Sequence, residues 1–146
     1  MLDKFSKSKV SVMSAYVIAR DEAMRLARSA AAPIQPGESI KAQMRRSAER
    51  LGMARDRTLN RRHRAAWYGE AGSWGADLLI DLQTRFTAWQ NSQRHEDARV
   101  RLAMADDLDG LAERLSRTDP SFFGADIEGL RVRSRQLRGV AHGSLT

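Results

Sequence analysis

The chain contains no cysteine, which excludes a disulfide framework, a thiolate zinc site and a thiol nucleophile together. It has three prolines, two of them close together in "SAAAPIQPG", so long stretches carry no helix breaker. No segment alternates polar and apolar residues with a period of two, and no sheet is expected. No uninterrupted apolar run approaches the roughly 20 residues of a spanning helix, and the mean hydropathy of -0.53 fits no membrane class. The start, "MLDKFSKSKVSV", has positive charge but no apolar stretch behind it, so no secretion signal is expected and the protein reads as cytoplasmic. The three histidines, His63, His95 and His142, form no local ligand pair, and no metal site is expected. "GEAGSWGAD" lacks the Lys-Ser/Thr of a phosphate loop, and the Asp106-Asp107 pair reads as solvated helix surface rather than acid/base machinery. The residues imply no cofactor, and no catalytic constellation emerges; the chain does not read as an enzyme.

Arginine is abundant, with 21 against 4 lysines and a net charge of +7. Its placement matters more than its amount. Between Lys41 and Arg64 stand nine basic residues (Lys41, Arg45, Arg46, Arg50, Arg55, Arg57, Arg61, Arg62 and Arg64) and two acidic ones, Glu49 and Asp56. The 16 basic and 16 acidic residues elsewhere cancel, so one short segment carries the whole imbalance. Such a focus attracts polyanions: DNA or RNA first, acidic lipid second, an acidic protein third. The competing reading is a solvated arginine-rich face.

Helical periodicity runs through the chain, and the fold class is all-α. Val10, Met13, Val17, Met24 and Ala27 mark an amphipathic helix from about 9 to 31, which Pro33, Pro36 and Gly37 end. A second opens at Ser39 as N-cap, presents Ile40, Met44, Ser47, Ala48 and Leu51 on one face, and stops at Gly52. A third, from about Arg55, buries Leu59, His63 and Ala66 and ends at Gly69. Leu79, Leu82, Phe86 and Trp89, then Val100, Met104, Leu108, Leu111 and Leu115, keep three-four spacing over roughly 40 residues. That is one long helix or two in tandem, and the polar "QNSQRHED" within it predicts a bend or break. A last helix is expected from about 125 to 138, followed by a polar tail.

A helix closing on Leu51-Gly52, a short corner and a second helix form the pattern of a helix-turn-helix, in which glycine suits a corner that needs positive φ. With about 100° per residue, Arg57, Asn60, Arg61, Arg64 and Tyr68 fall opposite Leu59, His63 and Ala66. Arginine can donate bidentately to guanine and asparagine can pair with adenine, so Arg57, Asn60, Arg61 and Arg64 are the candidate base readers. Lys41, Arg45, Arg46, Arg55 and Arg62 around the rim are the candidate phosphate contacts. Trp67 and Trp74 could stack on bases, although packing against the helices is the commoner use.

The same residues carry a family resemblance. "AERLGMARDRTLNRRH" resembles the A-x-x-L-G-(apolar)-x-x-x-x-T-L core of bacterial helix-turn-helix DNA-binding regulators. "WYGEA" is similar to the Trp-Tyr-Gly ending of small helix-turn-helix proteins of alphaproteobacterial prophages, plasmids and gene-transfer-agent regulators. The likeness covers about 35 residues and implies a transcription regulator, activator or repressor. Where such motifs place a capping Ser this chain has Ala54, which shifts the start of the reading helix to Asp56 or Thr58. The segment from Gly52 to Thr58 is also one residue longer than in the tightest versions.

The expectation is a helix-turn-helix DNA-binding domain with an N-terminal helix over residues 1–72, and a helical dimerisation or partner-binding region over 73–146. The function expected is sequence-specific binding of double-stranded DNA by a homodimer, with RNA polymerase or a co-regulator as a further partner. Two alternatives stay open: an RNA-binding or nonspecific nucleic-acid-binding protein, and a helical adaptor whose arginines meet an acidic protein. The seam expected for the dimer is the stripe Leu79, Leu82, Phe86, Trp89, Leu108, Leu111 and Leu115.

Overall fold

The computed structural model describes residues 3–145, and these are all-helical, with no strand among them. Five α-helices follow in order: α1 (Asp3–Ser29), α2 (Ile40–Arg50), α3 (Arg57–Trp67), α4 (Ala76–Thr118) and α5 (Gly124–Leu145), with one 3₁₀ turn at Ala71–Ser73. The chain divides into two compact units, Met1–Trp89 and Gln90–Thr146.

The core of the first unit is built on small residues of α1. Ala23, Ala27, Ala30 and Ala31 surround Leu26 and meet Leu51, Met53, Ala66, Trp67, Leu82 and Phe86. Small residues on one helix let its neighbours approach closely. The larger side chains opposite then fill the space, each contributing roughly 1.5–3 kcal/mol on full burial. Among the residues of α1 whose side chains are described, the buried ones begin at Ala23. Met13 and Val17, expected on that face, are 70% and 40% exposed, because the apolar partners cover only the C-terminal part of the helix. Val10 lies outside the residues whose side chains are described. Higher on α1, Tyr16 lies over the 3₁₀ turn, and a Cβ added to Gly72 would come within 2.6 Å of its ring.

Helices α2 and α3 end in the same way. Gly52 takes φ 66 and Gly69 takes φ 74. The Met53 N–H reaches back to the Ala48 carbonyl at 2.8 Å, and the Glu70 N–H to that of Ala65 at 2.8 Å. This left-handed cap satisfies terminal carbonyls and turns the chain sharply, a conformation that costs glycine least. It also drops Met53 into the core, where it is 1% exposed.

The second unit contains a helical hairpin. Ala98, Ala105 and Ala112 of α4 are buried, and so are Ile127, Ser134 and Ala141 of α5, each set at intervals of seven. The Ser134 hydroxyl donates to the Ala105 carbonyl at 3.3 Å. Arg138 spans to Asp106 at 2.6 Å and Asp109 at 2.7 Å. A seven-residue repeat of mainly small residues is a close-packed antiparallel coiled-coil seam.

Four expectations change. Helix α4 does not break at "QNSQRHED": residues 90–97 are exposed, yet the helix runs through them, since loss of an apolar stripe removes packing and not helix propensity. Helix α5 continues past 138 through Gly139 and Gly143, because Ala141 extends the buried seam. The stripe proposed as a dimer seam is divided: Leu82 and Phe86 belong to the core of the first unit, with Leu79 and Trp89 packed against it, while Leu108 and Leu115 are half-buried in the second. The boundary drawn at residue 72 falls on the turn before α4, whereas the first packed unit extends to Trp89.

Candidate functional site

Helices α2 and α3 start from side-chain caps. The Ser39 Oγ accepts the Ala42 N–H at 3.2 Å, and the Asp56 carboxylate accepts the Leu59 N–H at 2.9 Å. Asp56 therefore supplies the cap that Ala54 cannot, and its charge suits the positive end of the helix dipole.

Beneath the exposed faces a hydrogen-bond relay joins three helices. The Ser47 hydroxyl of α2 donates to the Ala27 carbonyl of α1 and lies 2.8 Å from His63 Nε2 of α3. A carbonyl only accepts, so the single Ser47 proton goes to Ala27, and His63 must be the Nε2–H tautomer donating to Ser47. His63 is 1% exposed and Ser47 fully buried. Burial lowers the histidine pKa from 6.5 to about 4, since the imidazolium would lose its hydration. His63 is thus a neutral structural residue at physiological pH.

The basic segment separates into two groups. Arg46, expected at a phosphate, instead holds the chain between α1 and α2. Its Nε donates to the Ala31 carbonyl at 2.8 Å, and its two terminal nitrogens pair with Glu38, one of them also reaching the Pro33 carbonyl. The same pairing holds the Glu38 carboxyl below its ordinary range. Arg50 donates to the carbonyls of Ala30 and Ala32 and lies over the Trp89 ring, 5.2 Å from its centroid. By contrast Lys41, Arg45, Arg55, Arg57, Arg61 and Arg64 are exposed and Arg62 half-buried. No side-chain hydrogen bond or ion pair joins these seven to other described residues. Arg57, Arg61 and Arg64 line one concavity along α3 with Tyr68, which is 55% exposed. Asn60 shares this concavity but is half-buried, with its amide nitrogen donating to the Ala54 carbonyl at 3.2 Å. It braces the corner and keeps its carbonyl oxygen and one N–H for other contacts.

Sequence reasoning missed a shared device. Each helix C-terminus of this unit receives an arginine from another element: α1 receives Arg46 and Arg50, α2 receives Arg85 on the Leu51 and Gly52 carbonyls, and α3 receives Arg28 on that of Trp67. Cations at helix C-termini satisfy orphan carbonyls and complement the dipole. Trp67 is buried and Trp74 packs against the core. Among the described residues no group of three or more His, Asp or Glu is arranged to hold a metal ion, and no helix is long and apolar enough to cross a membrane.

No protein-family model, curated protein or solved structure matches the chain.

Proposed function

We propose that the protein is a sequence-specific double-stranded DNA-binding transcription regulator, with α2 and α3 as a helix-turn-helix and α3 as the reading helix. One observation carries this reading. Within a segment where two arginines are tied to backbone carbonyls, seven cations stay unpaired on α2, the corner and α3, which is where a phosphate backbone would need them. Arg57, Arg61 and Arg64 read base edges, and Asn60 serves with the groups it has left. Lys41, Arg45, Arg55 and Arg62 meet phosphates, and Arg46 acts through the fold rather than at the DNA. The second unit supplies two-fold pairing of copies through its hairpin, placing two modules on half-sites about one helical turn apart. RNA polymerase or a co-regulator is a further partner. The protein acts in the cytoplasm and catalyses no reaction.

The test is selection from a random duplex library followed by anisotropy titrations on the selected duplex, single-stranded DNA and RNA. The expected result is an enriched site bound at least about 1,000-fold more tightly than random duplex. Binding to every nucleic acid without enrichment supports the nonspecific reading instead. Binding to none supports the adaptor.

A further inference from the structure

A second concavity, of about 700 Å³, lies between α2 and α3. Its volume falls within the range of small-molecule sites. Met44, Ala48 and Ala54 give it an apolar floor, and Lys41, Arg45 and Arg64 stand around it with Glu49 as the one acid. His63 also lines it. The His63 Nε2 proton is committed to Ser47, so Nδ1 presents a bare lone pair, and no described residue donates to it.

We propose that this groove binds a small amphipathic organic anion. The ligand has an apolar or aromatic body, a carboxylate or sulfonate, and one N–H or O–H donor. Three cations against one carboxylate select a negative ligand. The apolar floor selects against a bare phosphate, which would gain nothing from contact with Met44 and Ala48. His63, which lines the groove, adds at Nδ1 a directional acceptor, which fixes orientation. Asn60, Arg64 and Tyr68 line both this groove and the concavity along α3. Occupancy therefore competes with duplex, a consequence that rests on the DNA reading, whereas the ligand site itself does not.

The probe is anilinonaphthalene sulfonate, which carries a sulfonate, an N–H and an aromatic body, titrated calorimetrically into the full chain without DNA. One saturable site is expected, with decanoate displacing the probe. Arg45→Glu and Arg57→Glu change the net charge equally, but only Arg45 lines this groove. Arg45→Glu is expected to weaken binding at least about tenfold and Arg57→Glu less than about twofold. Both positions are exposed, and circular dichroism verifies the fold of each variant. Equal losses in the two variants, several weak sites or no saturable binding overturn the proposal. Probe binding by a protein that binds no duplex supports the ligand site and rejects the DNA reading alone.

Discussion

The two compact units hold their helices together with different residues. In Met1–Trp89, alanines of α1 are faced by Leu26, Met53, Trp67, Leu82 and Phe86, and a buried Ser47–His63 pair adds direction. Among the described residues of Gln90–Thr146, the buried positions are four alanines, one isoleucine and one serine, while Met104 is 49% and Val140 52% exposed. The first arrangement removes large apolar side chains from water. The second brings two helix axes close and leaves larger apolar groups at its margins, where a second copy could cover them. Charge divides the same way. Residues 90–146 hold nine basic and nine acidic side chains, so the surplus lies entirely in the first unit.

Truncating a large side chain strikes that contrast hardest. Leu82→Ala removes a side chain that is 1% exposed and should cost about 3–4 kcal/mol in urea unfolding, as transfer and cavity terms add. A loss below about 1 kcal/mol would place the first unit's stability elsewhere. Acid should weaken the same unit almost as much. With His63 neutral when folded and its pKa lowered from 6.5 to about 4, the unfolded chain binds the extra proton. Its contribution is complete above pH 6.5 and is lost as the pH falls toward 4, by at most about 3 kcal/mol. The urea midpoint should fall across that window in the native chain, and the histidine's share of the fall should vanish in His63→Gln. The hairpin should show the opposite size rule. Ala105→Leu, which would stabilise an underfilled core, should here force the helices apart at a cost of about 2 kcal/mol. A gain in stability would show that the seam is not close-packed.

Much of the first unit was legible because its rules are local. Ser39 announces a cap, Leu51-Gly52 a corner, and the spacing of His63 and Ala66 a buried face opposite Arg57, Arg61 and Arg64. The role of Arg46 was not legible, since nothing near it in sequence shows that the carbonyls of Ala31 and Pro33 come within reach. Arg28 and Arg85 cap helix ends 34 to 39 residues away, for the same reason. The hairpin seam was present as a repeat of seven through Ala98, Ala105 and Ala112. Its alanines are too small to stand out as an apolar stripe, whereas the larger Leu79, Leu82, Phe86 and Trp89 serve the first unit's core. The helix carries on through the polar interval near Gln93 because a polar interval alone does not end a helix, and no proline or glycine occurs between Ala76 and Asp109.

The most direct test of the central claim is the salt dependence of duplex affinity, measured by anisotropy for the native chain, Arg61→Ala and Arg46→Ala. In the native chain the logarithm of affinity should fall linearly with that of salt, by about 0.9 per phosphate neutralised. Arg61→Ala should cost roughly 1–3 kcal/mol on the selected site and less on random duplex. Arg46→Ala should lower the unfolding midpoint while leaving the affinity of the folded fraction near native. An affinity indifferent to salt, or one that survives Arg61→Ala and collapses with Arg46→Ala in folded protein, would contradict the assignment of the unpaired cations to DNA.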